Sequence, residues 1–114
     1  MAQAALIEQE LASAEAAWKG ANEGKARVCA RRAVALATEA WLAGFPARRW
    51  HGDAMEHLRR LQQDPSLPLP VRQAAERLST SVARRHAAAF TINPIDDARL
   101  IVAHLQSNMS ERAP

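Results

Sequence analysis

The sequence predicts an all-α protein, an up-and-down antiparallel bundle of about five helices with a four-helix core. Alanine is frequent and only 4 of the 114 residues are glycine, a composition that favours helices because alanine loses no side-chain entropy in them. Apolar residues recur at three- and four-residue steps, and the alternating pattern of strands is missing. Short connections favour antiparallel neighbours, and the length fits one domain over residues 1–114.

The first two helices are predicted over about 2–19 and 25–43, separated by a connection with two glycines. The second helix has the wider apolar face, so we expect it to be the central helix that contacts more than one neighbour. Gly44 is its expected C-cap. The first helix has one apolar stripe, at Ile7, Leu11, Ala14 and Trp18.

A loop is predicted over 47–52, and the third helix follows it. Asp53 and Glu56 have the spacing of a capping box, in which each side chain bonds a backbone amide at the helix start. Three prolines between residues 64 and 70 end this helix, because proline lacks an amide donor and restricts the residue before it.

The fourth helix is predicted to begin at Pro70, which suits a first turn, and to continue towards Phe90. The fifth begins after Asn93, whose side chain can cap the helix. It carries an apolar stripe through Leu105, and residues 110–114 are expected to be a frayed tail.

Composition limits the chemistry that the chain can perform. The single cysteine, Cys29, excludes an internal disulfide, and a small buried side chain is favoured there over a reactive thiol. No cysteine or histidine pair has metal-ligand spacing, so neither a metal nor a cofactor is predicted. No segment has the length of a membrane span, and no basic region precedes the first helix, so a cytoplasmic protein without membrane contact is expected.

The formal net charge is +3, and 13 of the 15 basic residues are arginine. Arginine matches phosphate geometry, so a nucleic-acid surface is one interpretation. The other is an ordinary set of solvated arginines, which a small net charge favours.

Three basic groups are candidate binding sites for a phosphate or another ligand. The loop group combines cations, a titratable ring and Trp50, which is either an exposed interface anchor or a side chain folded back on the core. The other groups are equally compatible with solvated helix faces or with stabilisation of a helix end. The candidates are Arg48, Arg49 and His51 in the loop, Arg84, Arg85 and His86 near the end of the fourth helix, and Arg27 and Arg31 in the second helix.

Arg99 and His104 are a candidate catalytic pair, separated by five residues in the last helix. Five steps of about 100° rotate roughly 140° around the helix axis, so the two side chains point to different faces of one helix. Cooperation between them would therefore require two subunits. No phosphate loop, nucleophile elbow or carboxylate pair is present.

Four stretches within residues 24–108 carry a further pattern. The first has the small and large apolar positions of Gly24–Leu42 with Glu39 near the end, and the second is the helix after His51. The third is Leu67-Pro68 leading to the next helix, and the fourth is the link from Arg85-His86 and Phe90 to Asp97-Ala98-Arg99. Together these stretches resemble the HEPN superfamily of small helical bundles.

This resemblance implies an up-and-down bundle that forms a homodimer. It also implies association with nucleotides or RNA beside a nucleotidyltransferase partner. Some members are metal-independent ribonucleases that use an arginine followed four to six residues later by histidine, to which Arg99 and His104 correspond. The tyrosine-rich stretch of the nucleotide-binding branch is missing, and residues 86–90 keep only its outline.

Three functions therefore stay open. The first is a non-catalytic, dimeric binding module for a nucleotide, RNA or a partner protein. The second is a toxin-like ribonuclease of the same fold, which would use Arg99 and His104, or Arg85 and His86, across a dimer. The third is a protein–protein adaptor without a nucleic-acid role.

Overall fold

The computed structural model describes residues 2–80 and 93–112, and the side chains of residues 3–80 and 93–109. The described residues contain five α-helices and no strand, which confirms the predicted all-α class. The helices are α1 (Ala2–Lys19), α2 (Glu23–Leu42), α3 (Ala54–Gln63), α4 (Leu69–Ser79) and α5 (Pro94–Arg112).

A three-residue turn joins α1 and α2 into an antiparallel hairpin. The amide of Asn22 donates to the carbonyl of Ala17 (2.8 Å), and the amide of Ala21 donates to the carbonyl of Trp18 (3.1 Å). This pair of bonds is the Schellman pattern, which places its C′ residue in the left-handed region, and Ala21 has a φ of 61°. Asn22 then caps α2 by accepting from the amide of Lys25 (3.1 Å), so α2 begins at Glu23, two residues before the predicted start.

The second helix is central, as predicted, and contacts each of the other four described helices. Its inward face consists largely of alanine, which lets neighbouring helices approach closely. It ends at Leu42, with Ala43 as a right-handed C-cap (φ −58°), so the prediction that Gly44 is the cap is wrong. The buried small residues are Ala26, Cys29, Ala30, Ala33 and Ala37.

The start of α3 agrees with its predicted cap. The Asp53 carboxylate accepts from the amide of Glu56 (3.0 Å). Gly52 precedes it with a φ of 120°, and a Cβ at this position would lie 2.8 Å from the Glu56 Cβ. Glycine is therefore required at the entry to α3 on both conformational and steric grounds.

The fourth helix ends at Ser79, where Thr80 takes an extended conformation (ψ 131°). The prediction of an unbroken helix from Pro70 towards Phe90 is therefore wrong at this point, and residues 81–92 lie outside the described part of the chain. The hydroxyls of Ser79 and Thr80 both donate to the carbonyl of Glu76 (2.9 Å each). Such side-chain bonds compete with helix continuation.

The Asn93 side chain caps α5 by accepting from the amide of Ile95 (2.9 Å), as predicted. Near the other end, the indole of Trp41 donates to the side-chain oxygen of Asn108 (3.0 Å). Because both residues are near the C-terminal ends of their helices, α5 runs beside α2 in the same direction. The helix continues through Arg112, beyond the predicted start of fraying at residue 110.

The strained turn residue gives a test of the hairpin. Ala21→Gly should raise the free energy of unfolding by up to about 1 kcal/mol, because a left-handed residue with a Cβ costs roughly 1–2 kcal/mol and glycine recovers part of that cost. Ala43→Gly is the matched control, since Ala43 is right-handed and glycine should there be neutral or destabilising. Urea denaturation measures both, and an equal effect of the two substitutions would contradict the turn geometry.

Candidate binding groove

A groove of about 520 Å³ lies on the surface with α2 as its floor. One wall comes from α1, through Glu10, and the other from the start of α3. The floor is formed by Val28, Arg31, Arg32, Ala35, Leu36 and Glu39, and the α3 wall by Asp53, Ala54 and Met55.

The middle of the groove is apolar and partly open to solvent. Val28 is 44 % exposed, which is high for a large aliphatic side chain inside a helix. Leu36 and Met55 are half-buried and pack against the hydrophobic core from this side. Ala35 also lines the floor, and its small side chain leaves room for a side chain of a ligand. The groove therefore offers a strip of apolar surface that no described segment covers.

Opposite charges lie at two positions along the floor. Arg32 is exposed and forms no ion pair with another described residue, whereas Glu39 lies seven residues later on the same helix. Seven residues span about 10 Å along a helix and almost two full turns, so the two side chains share one face. The groove is therefore positive near Arg32 and negative near Glu39, where Asp53 adds a second carboxylate.

A buried histidine lies under the negative end. His57 is 3 % exposed, and its Nε2 is 3.5 Å from the Glu39 Oε2. Its Nδ1 is buried and has no hydrogen-bond partner among the described residues. The Glu39 side chain is 52 % exposed, so one carboxylate oxygen lies near the imidazole while much of the side chain faces solvent.

The predicted phosphate clamp of Arg27 and Arg31 is not formed on the surface. Arg27 is 1 % exposed and pairs with Glu23 (3.1 Å). Arg31 crosses to the end of α4, where its Nε donates to the carbonyl of Leu78 (2.9 Å) and its Nη2 to that of Thr80 (3.4 Å). Burial and the neighbouring Arg27 lower the pKa of the Arg31 guanidinium from its ordinary value. Both guanidiniums are therefore engaged within the fold, and that of Arg31 joins α2 to the end of α4.

The loop group divides into an inner and an outer pair. The Arg48 guanidinium lies 4.7 Å from the Phe45 ring centroid, 5.1 Å from that of Trp41 and 5.7 Å from that of Trp50. Trp50 is half-buried and packs edge-on against Trp41 at 5.7 Å, so it is folded back on the core, which is the second of the two interpretations of this residue. Arg49 and His51 are exposed.

Arg48 also forms an ion pair with Asp64, whose side chain is nearly buried. Burial by itself would raise the pKa of Asp64. Hydrogen bonds from the hydroxyl (2.7 Å) and amide (2.9 Å) of Ser66, together with Arg48, outweigh this effect and hold the pKa below its ordinary value. A second cleft of about 270 Å³ lies beside this pair.

The two predicted catalytic residues are not brought together. Arg99 is exposed and its Nη2 pairs with Glu15 of α1 (2.7 Å). His104 is half-buried one and a half turns later in α5, which agrees with the divergence expected inside one helix. Arg84, Arg85 and His86, the third candidate group, lie outside the described residues.

Apart from Arg31, the groove residues were missed because each looks like an ordinary surface position. The available signal was the spacing of Val28, Arg32, Ala35 and Glu39, which places two apolar and two oppositely charged side chains on a single helical face. The sequence indicated only that Leu36 widens the apolar face of the second helix. It did not indicate which side of that face has no neighbouring helix.

Neither a metal site nor a membrane span is found among the described residues. Within residues 2–80 and 93–112, no group of three or more histidine, cysteine or acidic side chains could hold a metal ion. None of the described helices has the length and apolar character needed to cross a membrane. Comparison with family models, with curated proteins and with solved structures gives no match.

The Asp64 contacts predict a dependence of stability on pH. Because the folded-state pKa is below the unfolded value of about 3.9, the stabilisation is present above that pH and is lost as pH falls through the folded-state pKa. As the pH falls from about 5 to about 2, the free energy of unfolding should therefore decrease less for Asp64→Asn than for the wild type. Urea denaturation measures this difference. Ser66→Ala should have a smaller effect in the same direction, and a wild-type pH profile for Asp64→Asn would contradict this account.

Proposed function

We propose that this chain is a non-catalytic binding module that recognises a partner protein through the α2 groove. The observation that carries the proposal is an apolar strip that no described segment covers, formed by Val28 and Leu36 of the floor and Met55 of the α3 wall. Exposed apolar surface with a polar rim is typical of protein interaction sites. A groove between helices is also a common receptor for an extended or helical segment of another protein.

The arginines support a protein partner better than RNA. Affinity for nucleic acid depends on cations that neutralise phosphates. Arg27, Arg31 and Arg48 already contact carboxylates, carbonyls or aromatic rings within the fold. Arg49 and His51 are exposed, so a nucleotide or RNA at the loop is the competing possibility. The groove itself carries both signs of charge, which is a poor match for a polyanion.

The wider expectations from the HEPN resemblance belong to the same proposal. A five-helix bundle is compatible with that superfamily, but homodimer formation, a nucleotidyltransferase partner and a cytoplasmic location stay predictions.

Co-purification of the tagged chain from its native host tests the proposal. A protein should be recovered in stoichiometric amount, without nucleic acid absorbance, and Leu36→Glu should abolish its recovery because a charge would enter the apolar strip. Leu100→Glu is the matched control, since Leu100 is 42 % exposed on α5 and outside the groove. Recovery of nucleic acid that is lost in an Arg49→Ala, His51→Ala variant would favour the loop and contradict the groove.

The ribonuclease alternative has a separate test. Because Arg99 is paired with Glu15 and diverges from His104, the purified chain should leave a mixed RNA substrate intact without added metal. Gel electrophoresis after overnight incubation measures this. Cleavage that disappears in both Arg99→Ala and His104→Ala would overturn the non-catalytic assignment.

A further inference from the structure

We infer that the groove receives one amphipathic helix of a partner protein, with an acidic and a basic residue seven positions apart on either side of an apolar anchor. This inference rests on the proposed function and specifies the chemistry of the partner. The observation behind it is the order of side chains along the α2 floor: Arg32, then Ala35 and Leu36, then Glu39.

The floor has the periodicity of helix-in-groove recognition. Helical ligands use anchors at positions i, i+3 or i+4, and i+7, and the α2 floor repeats at the same steps from Arg32 to Glu39. A partner helix lying along α2 advances by about 10 Å over seven residues, as α2 does. The two charged side chains of the partner helix can then pair with Arg32 and Glu39, while a leucine-sized side chain between them enters the space over Ala35.

The charged residues lining the groove determine what the ends of the partner must carry. Arg32 is exposed. Arg31 beside it keeps its charge although its guanidinium is bonded to carbonyls, so this end of the groove favours a carboxylate. Glu39 and Asp53 favour a cation at the other end. Asp53 uses Oδ1 to cap α3, which leaves Oδ2 for a ligand. Glu10 on the α1 wall is a third acid. Because α1 and α2 form an antiparallel hairpin about Ala21, Glu10 lies level with Arg32 and offsets part of the positive charge there, which Arg31 and Arg32 together still exceed.

The described part of a second copy does not present this arrangement on a protruding surface. Among the described side chains, two exposed acid–base pairs are seven residues apart: Arg32 and Glu39 in α2, and Asp53 and Arg60 at α3. The second pair begins at the helix cap and has Glu56 and the buried His57 on its face in place of an apolar anchor. In α2 that face is the floor of the groove, flanked by α1 and the start of α3, so two floors would have to approach past their own walls. A helix of a different protein fits without this obstruction.

Three designed helical peptides with one leucine face test the inference by fluorescence anisotropy. They carry glutamate and lysine, two lysines, or two glutamates at positions i and i+7. The wild-type chain should bind the glutamate–lysine peptide about tenfold more tightly than the other two at low salt, with the difference shrinking as salt screens the charges.

Charge reversal in the chain should redirect this preference. Arg32→Glu leaves two acidic ends and should select the lysine–lysine peptide, whereas Glu39→Lys should select the glutamate–glutamate peptide. Lys19→Glu, an exposed change at the end of α1 and outside the groove, should keep the wild-type ranking. Glu39→Gln is the milder variant should a lysine above His57 disturb folding; because Asp53 remains, it should reduce, without removing, the preference for the glutamate–lysine peptide over the glutamate–glutamate peptide. Circular dichroism checks that each variant is folded.

An unchanged ranking in Arg32→Glu would overturn the inference. Binding of no peptide, while Leu36→Glu still abolishes partner recovery, would also overturn it and leave the proposed function intact. If Leu36→Glu has no effect on partner recovery either, both fail. A 1:1 complex between the Arg32→Glu and Glu39→Lys chains in analytical ultracentrifugation, without peptide binding, would show that a second copy occupies the groove.

Discussion

The close packing of α1, α3, α4 and α5 around the alanine-rich face of α2 is the contact on which the rest of the fold depends. Small side chains at Ala26, Ala30, Ala33 and Ala37 are almost completely buried, so the neighbouring helices can approach the α2 backbone. Burial of apolar area is the dominant favourable term in folding, and here one helix provides the shared surface. One face of α2 is left uncovered, and it forms the groove floor.

Much of the architecture could be predicted from local patterns. The limits of α1, the caps at Asp53 and Asn93 and the central role of α2 follow from apolar periodicity and from hydrogen bonds within a few residues. The end of α4 could not be predicted, because apolar spacing continues beyond it. Hydroxyl bonds of Ser79 and Thr80 and the distant Arg31 side chain accompany its end instead. Gly44 was misjudged because glycine permits a left-handed cap without requiring one.

The candidate site was harder to predict than the fold. Clusters of arginine suggested phosphate binding, yet the partners of those side chains lie far away in sequence: Arg31 bonds residues 47 and 49 positions later. Local composition contains no information about such pairing. Conversely, Arg32 and Glu39 are unremarkable in sequence and gain meaning only when α1 and the start of α3 form walls beside them.

The enclosure of Arg48 by three aromatic rings links the groove floor to the loop before one of its walls. Three of the five aromatic residues of the chain surround this guanidinium, and they tie the segment that follows α2 to the end of that helix. A guanidinium does not deprotonate in proteins, so this contact persists at any physiological acidity. The loop that leads to the wall at Asp53–Met55 is thus anchored to the helix that forms the floor.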